Sequence, residues 1–282
     1  MPDEMPLEVP NPTTPFLNGP LDFIREIRKD WYLVKNLVRR DLKGKYNRAS
    51  IGFGWIVLEP LLLSAVYYVL FTMIADRPEP NYSLFVIIGI IIWGNFGKSL
   101  QATIECLSKN GNLIKQVYFP RSIIALSPVL SQLWISMISL VAVIPVMWYL
   151  GVVPNQSIWM LPVALILTSM MALGIGLIFA PLNVLSQDVS HLFRFIVRAG
   201  FFISPVMWTY EMMIERAPAG WVDLIMLNPV VVPITFARHG LDGTPLNFEL
   251  FHLLYSIGFA LVVLIVGMAL FKRWESRVVK YL

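Results

Sequence analysis

The sequence predicts an all-α integral membrane protein with six transmembrane helices, and three observations favour this fold class. Only 14% of the 282 residues are charged, whereas an ordinary soluble domain has about 25%, and 57% are hydrophobic. Six apolar stretches approach the roughly 20 residues that a helix needs to cross the hydrocarbon core of a bilayer. The basic residues are concentrated between alternate stretches, which indicates a multi-pass protein with a fixed orientation.

The chain before the first apolar stretch divides into a tail and a helix. Residues 1–20 are Pro-rich and acidic without an apolar run, so we expect a flexible tail and no secretory signal peptide. Residues 21–48 are expected to form a cytoplasmic amphipathic interface helix, because apolar residues recur every three or four positions. The alternative is a basic anchor with no further role. The expected apolar stripe consists of Ile24, Ile27, Trp31, Val34, Val38 and Leu42.

Residues 49–282 are expected to form a six-span membrane domain. The first four apolar stretches are residues 56–75, 84–104, 123–150 and 159–182. The fifth stretch, residues 195–208, is short, so its helix must extend back over Leu192 or be partly re-entrant. The sixth stretch, residues 251–271, contains no charged residue.

Six spans place both termini on one side of the membrane, and the basic residues identify that side. Eighteen Lys and Arg residues flank one face, whereas Arg77, Arg216 and Arg238 flank the other. Because cytoplasmic loops carry the excess of basic residues, we expect both termini in the cytoplasm and the protein in the inner (plasma) membrane.

The region between the fifth and sixth spans, residues 209–250, lies on the outer side in this topology. It contains two apolar patches, residues 212–214 and 222–236, and each is too short to cross a membrane. We expect short helices that dip back into the outer leaflet, which is tolerated where protein shields the backbone.

The sequence offers little catalytic chemistry at membrane depth. Residues 94–99 (GNFGKS) end like a phosphate-binding loop, but the required upstream glycine is missing and the segment interrupts a membrane helix. Glu59, Lys98 and Glu105 should face protein or water, because a charge facing lipid costs about 2.5–3.5 kcal/mol at a helix centre. Lys98 and Glu105 share one helix face, and they either line a path or pair with each other. One cysteine, Cys106, and three scattered histidines predict neither a disulfide nor a metal site.

Aromatic residues are abundant near the expected outer ends of the spans. An interfacial aromatic belt is the simpler explanation for most of them. A second interpretation is a set of flat apolar faces that stack against sugar rings. The four best candidates for that role are Tyr67, Tyr68, Trp93 and Phe96.

Three stretches of the chain together resemble the type-2 ABC export permeases. The first is residues 40–46 (RDLKGKY), followed by Ser50, Gly52, Trp55 and Pro60. The second is residues 112–121 (NLIKQVYFPR), and the third is residues 204–208 (SPVMW) with residues 227–229 (LNP) downstream. The resemblance runs from about residue 21 to residue 282. It is closest to the branch that exports O-antigen, capsule, teichoic acid and other cell-envelope polysaccharides.

The resemblance implies a half-transporter without enzymatic activity of its own. Two copies would enclose a channel for a lipid-linked polysaccharide, and each would bind a separate cytoplasmic ABC ATPase subunit. ATP and Mg would then be bound by that partner, with no cofactor, metal or nucleic acid bound by this chain. Residues 105–121 would contain a coupling helix that docks on the ATPase, and residues 209–250 would form an outer gate.

The resemblance also assigns individual residues. Those expected in ATPase coupling are Asn112, Leu113, Ile114, Lys115, Val117, Tyr118, Phe119, Pro120 and Arg121. Those expected in the interface helix and the start of the first span are Trp31, Arg39, Arg40, Asp41, Lys43, Lys45 and Tyr46. Those expected in the outer gate are Trp208, Met212, Met213, Trp221, Asn228 and Pro229. Lys98 joins the four aromatic residues as a channel candidate.

Other functions remain open at this point. The same architecture could export a drug or a small lipid, in which case loss of the gene would leave no glycan trapped inside the cell. A membrane-embedded glycosyl or acyl transferase would need a catalytic acid or base at the membrane edge, and the sequence contains no convincing one. A structural membrane protein is the third alternative.

Overall fold

The computed structural model describes residues 16–46, 49–74, 81–116, 120–216, 218, 220–246 and 248–278. Within these residues the chain forms α-helices joined by turns and short 3₁₀ segments, with no strand, which confirms the all-α fold class. The expected tail lies largely outside the described residues. The helices are α1 (Gly19–Lys29), α2 (Trp31–Tyr46), α3 (Trp55–Ile74), α4 (Tyr82–Ile104), α5 (Cys106–Lys109), α6 (Gly111–Gln116), α7 (Arg121–Ser139), α8 (Val143–Leu150), α9 (Met160–Leu185), α10 (Asp188–Ile203), α11 (Tyr210–Arg216), α12 (Trp221–Met226), α13 (Val231–Asp242) and α14 (Leu250–Val278).

Five helical segments of the described chain, one fewer than predicted, are long and apolar enough to cross a membrane. They are Gly52–Leu70, Tyr82–Ile104, Arg121–Leu150, Met160–Leu185 and Leu250–Glu275. The remaining predicted span corresponds to α10, which has 16 residues. This helix extends back past Leu192, as its short apolar stretch required, and it carries Arg194 and Arg198 on exposed positions.

Helix α4 is the centre of the bundle and packs against α3, α7, α9, α10 and α13. Its side chain Asn95 is fully buried and donates from Nδ2 to the Leu165 carbonyl at 3.0 Å and to Ser169 Oγ at 2.9 Å. A buried amide without such partners would be costly, so these bonds hold α4 against α9 at one register.

Helices α9 and α14 form the most extensive helix pair. A Cβ atom built on Gly174 of α9 would lie 2.6 Å from the Leu264 backbone nitrogen of α14. Gly267 of α14 faces the Gly174 carbonyl oxygen at similarly close range. Small residues in both helices therefore permit a direct backbone approach, as is common between membrane helices.

Helix α10 runs antiparallel to α4 along most of its length. Near the end of α4 that leads into α5, Gln101 donates from Nε2 to the carbonyl of Ser190 at 3.2 Å. At the other end, the Tyr82 hydroxyl donates to the carbonyl of Met207, just beyond α10, at 3.0 Å. Residues 190–207 therefore accompany α4 from its last turn to its first residue.

The expected interface helix is two helices that are separated at Asp30. In α1, Phe23 is buried and packs edge-on against Phe271 of α14, with 6.2 Å between the ring centroids. In α2, Val34 is buried against α7, in one cluster with Ile123. Because the break changes the phase of the helix, the predicted stripe is only partly buried, and Trp31 is 47% exposed.

A buried ionic cluster fixes α1 to the bundle. The Lys272 ammonium of α14, 6% exposed, lies 2.7 Å from Glu26 Oε1 and 2.5 Å from Glu275 Oε1. The Ser122 hydroxyl of α7 donates to Glu26 Oε2 at 2.7 Å. Removing one member of such a cluster leaves a buried charge uncompensated, which is far more destabilising than loss of a surface pair.

Candidate functional site

One face of α4 is open and polar in its second half, between α3 and α10. After Phe85, α4 has four positions that are not buried, and the residue that follows the helix is also not buried. These five residues are Gly94, Lys98, Gln101, Ala102 and Glu105. They recur every three or four residues and therefore lie on one side of the helix. The structure thus places a polar strip on the central helix, where a purely structural membrane helix would present apolar residues.

The strip begins at an ion pair between α4 and α3. Lys98 Nζ lies 2.8 Å from Glu59 Oε1, and the two side chains are 52% and 46% exposed. The GNFGKS segment is continuous helix, so its lysine is not part of a phosphate-binding loop. Nearby, Lys45 reaches Gln132 of α7 at 3.4 Å, and burial together with the charge of Lys98 lowers the pKa of Lys45. Two ammonium groups therefore share this end of the strip.

The strip ends at Glu105, whose partners come from three segments. Its carboxylate lies 2.6 Å from Lys109 Nζ of α5 and 3.8 Å from Arg194 of α10, and it accepts a hydrogen bond from Gln101. Burial alone would raise the pKa of Glu105. The hydrogen bonds from Lys109 and Gln101 and the charges of Lys109 and Arg194 outweigh burial, so the pKa lies below its usual value. Glu105 therefore pairs with Lys109 of α5 and with Arg194 of α10, whereas Lys98 pairs with Glu59.

A second link joins α5 and α10, this time through α9. Asn183 of α9 is 1% exposed, and its Nδ2 donates to Ser108 Oγ of α5 at 3.0 Å. Its Oδ1 accepts the backbone N–H of Ser190 in α10 at 3.0 Å. One amide thus connects α5 to the start of α10, a connection that sequence reasoning missed because an isolated Asn in an apolar helix carries no motif.

The expected coupling segment forms α5 and α6 after a turn at Glu105. Ile114 is buried at 8% exposure in a cluster with Phe23 and Leu107 and anchors α6, whereas Asn112 and Lys115 are exposed on its other side. Leu113, Pro120 and Arg121 are half-buried. Val117, Tyr118 and Phe119 lie outside the described residues. The described part of the segment therefore presents a polar outer face that is held by one apolar anchor.

The expected residues of the interface helix lie on α2 with few internal partners. Trp31, Arg39 and Lys43 are exposed, and Arg40 pairs with the adjacent Asp41 at 2.9 Å. Tyr46 contacts the Phe53 ring, with 5.6 Å between the ring centroids. Burial and the charge of Glu59 raise the pKa of Tyr46, which keeps its hydroxyl protonated at neutral pH.

The four aromatic channel candidates are divided by the structure. Tyr67 is half-buried against Phe201 of α10, with 5.6 Å between the ring centroids, and Tyr68 is 41% exposed. Trp93 and Phe96 are buried at 7% and 8% exposure, and they line an apolar pocket of about 270 Å³ between α4, α9, α10 and α14. In this arrangement only the two tyrosines are accessible from outside the bundle.

The expected gate residues lie in a cap of short helices, α11 to α13. Trp208 donates from Nε1 to the Phe202 carbonyl at 2.7 Å and is 43% exposed, whereas Trp221 is 55% exposed. Met212 and Met213 are buried. Two hydrogen bonds connect the cap to the rest of the bundle. Asn228 donates to Ser204 Oγ at 2.7 Å, and the Pro229 carbonyl accepts the Ser256 hydroxyl at 2.7 Å.

Arg238 of α13 was expected only as an outer basic residue, but it is 4% exposed. It donates to the carbonyls of Phe85 at 3.2 Å and Val206 at 2.9 Å, and its guanidinium carbon lies 3.2 Å from the Phe85 ring centroid. It borders a cavity of about 450 Å³ that also contacts Trp208 and Asp242. The signal in the sequence was a single arginine within an otherwise apolar stretch.

Comparison with known proteins finds relatives over most of the chain. A family model described as ABC-2 type transporter matches residues 32–241. The O-antigen export system permease protein RfbA of Klebsiella pneumoniae is 29% identical over 246 residues, which cover 87% of this chain and 93% of that protein. The polysialic acid transport protein KpsM of Escherichia coli is 22% identical, with coverages of 86% and 93%. The capsule polysaccharide export inner-membrane protein BexB of Haemophilus influenzae is 24% identical, with coverages of 87% and 92%.

Proposed function

Because the chain belongs to the ABC-2 type transporter membrane family, we propose that it is the permease subunit of an ATP-driven exporter of cell-envelope polysaccharide. Members of this family are transport proteins that work with an ABC ATPase, and they are not enzymes. The observation that carries the proposal is the end-to-end similarity to permeases named for O-antigen, polysialic acid and capsule polysaccharide. In the complete machine, two copies of this chain and two ATPase subunits move a lipid-linked glycan out of the cytoplasm.

In this proposal α10 is the sixth span. Together with the residues that follow it up to Met207, it accompanies α4, which has 23 residues and is therefore about 35 Å long. The starts of α4, α9 and α14 lie at one end of the bundle, where Asn155 donates to the carbonyl of His239. The chain leaves α9 at the opposite end and must return before α14 begins. Residues 188–207 are the segment that makes this return.

The basic residues give the orientation. The end of the bundle that carries α1, α2, α5 and α6 faces the cytoplasm, because most of the Lys and Arg residues lie there. Both termini are then cytoplasmic. The cap of α11, α12 and α13 lies on the outer side, where its apolar helices re-enter the outer leaflet and are shielded by α4 and α9.

The polar strip of α4 forms part of the wall of the conduit. A long polar polymer cannot cross lipid, so it needs a wet path, and the strip from Glu105 to Lys98 supplies polar groups along the cytoplasmic half. The second copy of the chain closes the path from the opposite side. The accessible tyrosines, Tyr67 and Tyr68, continue it outward with flat faces on which sugars rest weakly, so that the chain slides.

The ATPase acts through α5 and α6. When the ATPase binds ATP, it can shift the permease from one conformation to another only to the extent that it binds the two conformations with different affinity. The amide of Asn183 and the carboxylate of Glu105 connect the docking loop directly to α10. A displacement of the loop therefore moves α10 as a rigid body and widens or narrows the space beside α4.

The proposal is tested by deleting the gene and locating the glycan. Loss of the permease should leave a lipid-linked polysaccharide on the cytoplasmic side, and the full chain supplied with its ATPase should restore the polymer at the cell surface. An Arg273→Gln variant, at an exposed position of α14 outside the coupling segment, serves as a surface control beside a Lys98→Gln variant in the strip. A deletion strain with normal surface glycan and altered sensitivity to a small compound would refute the polysaccharide assignment.

The sixth span is tested by thiol labelling from one side of the membrane. The single natural cysteine does not interfere, because burial raises the pKa of the Cys106 thiol to about 12 and leaves it unreactive. A cysteine at Gln187 should label only from the cytoplasm, and a cysteine at Leu246 should label only from outside. Labelling of both positions from the same side would exclude α10 as a span.

A further inference from the structure

A groove on the side of the permease separates α2 from α7. Its volume is about 390 Å³, and its lining includes Phe53 in the 3₁₀ turn Gly52–Gly54 that precedes α3. The floor is apolar and includes Val38 of α2 and Leu130 of α7, while Trp31 and Trp134 stand at the sides. Both tryptophans are substantially exposed, at 47% and 60%, so nothing among the described residues covers the groove.

The rim of the groove is strongly cationic. Lys35, Arg39 and Lys43 follow each other at intervals of four residues and therefore form a row along one side of α2. None of them makes an ion pair with any described residue, and no Asp or Glu lines the groove. Their neighbours differ, since Arg25 pairs with Asp22 and Arg40 pairs with Asp41. The row is therefore available to an external anion.

The depth of the groove fits the cytoplasmic edge of the bilayer. The segment Arg121–Leu150 has 30 residues and is about 45 Å long, which exceeds the roughly 30 Å of hydrocarbon by about ten residues. Measured from Leu150 at the outer end, Trp134 lies about 24 Å along the helix, just inside the inner edge of the hydrocarbon. Tryptophan is enriched at that level. The α2 row then lies at the level of the lipid headgroups.

We propose that this groove is a binding site for an anionic glycerophospholipid of the cytoplasmic leaflet, with the phosphate on the cationic row and an acyl chain on the apolar floor. The inference rests on the orientation given under the proposed function and goes beyond the transport activity. The guanidinium of Arg39, at the centre of the row, suits bidentate contact with two phosphate oxygens, and the flanking ammonium groups add charge. The groove supplies acyl-chain contact that an ordinary exposed basic helix lacks.

The site is tested with the full chain in nanodiscs of phosphatidylcholine that contain a minor fraction of phosphatidylglycerol. Native mass spectrometry after mild detergent extraction measures how much phosphatidylglycerol stays bound. A Lys35→Gln/Arg39→Gln/Lys43→Gln variant should retain at least tenfold less than the original chain, because each basic residue near the surface contributes about a fivefold preference. The matched control is Arg25→Gln/Arg28→Gln/Lys29→Gln, which removes the same charge from α1 and should retain the lipid.

A second variant separates the groove from simple electrostatic attraction. Val38→Trp fills the floor and leaves all three cations in place, so retention should again fall. Equal retention by the row variant and the α1 control would overturn the proposal, as would full retention by Val38→Trp. Loss of glycan export with phosphatidylglycerol retention unchanged would also overturn it, since the row would then serve the cargo. Retention is measured without transport, so failure of the proposed export function would leave this result interpretable.

Discussion

The close approach of α9 and α14 makes a quantitative prediction for Gly174→Ala. The added methyl carbon would lie 2.6 Å from the Leu264 nitrogen and 2.6 Å from the Val263 carbonyl carbon. Ordinary contact between such atoms begins near 3.4 Å, and both obstacles are backbone atoms that cannot rotate away. The helices must therefore separate by about 1 Å, and overpacking of this kind typically costs about 1–3 kcal/mol.

The matched control lies in the partner helix. Gly258 of α14 has no atom within 4 Å of a built Cβ, so Gly258→Ala should leave stability unchanged or raise it through helix propensity. Thermal unfolding of the purified full chain in one detergent compares the two variants. We expect Gly174→Ala to lower the apparent Tm by about 2–4 °C for each kcal/mol. Equal Tm values for the two variants would refute the close-packing argument.

Three further predictions concern the polar strip and its links. The pKa of Glu105 is lower in the folded protein than in the unfolded chain, so the ionised carboxylate stabilises the fold. This stabilisation is complete above the ordinary carboxylate range and is lost as the pH falls through the folded-state pKa. A Glu105→Gln variant should therefore show a flatter profile of Tm against acidic pH. Asn183→Ala should cost about 1–3 kcal/mol, read from Tm, because it removes two hydrogen bonds of a buried amide, the one it donates to Ser108 Oγ and the one it accepts from the Ser190 N–H. Lys98→Met should change stability by less than about 1 kcal/mol, since its pair with Glu59 is half-exposed, yet it should reduce export of the glycan; unchanged export would remove the strip from the conduit.

Which helices form was readable from the sequence, whereas their contacts were not. The short fifth stretch predicted a helix that either extends back over Leu192 or is partly re-entrant, and α10 begins before Leu192. The interface helix was expected as one element, because its apolar residues keep a helical period across Asp30. The structure divides it there, since α1 packs on α14 and α2 packs on α7, and one straight helix cannot follow both.

The candidate site shows the same division. Glu59, Lys98 and Glu105 stood out because ionisable residues in apolar stretches are expensive, so their composition alone marked them. Composition did not identify their partners. The sequence left open a pair between Lys98 and Glu105, whereas in the structure Lys98 pairs with Glu59 and Glu105 pairs with Lys109. Trp93 and Phe96 looked like sugar-stacking residues, but α9 and α10 cover both rings.

Hydropathy and charge asymmetry, which depend only on the order of residue types, determined by themselves that this chain is a multi-pass helical membrane protein whose basic residues are concentrated on one face. The tertiary structure decided which polar residues meet, from Asn183 between α5 and α10 to Arg238 beneath the outer cap. The physical reason is that a buried polar atom must find a partner from another helix. Which helix supplies that partner depends on how the helices pack, and local sequence patterns do not contain that information.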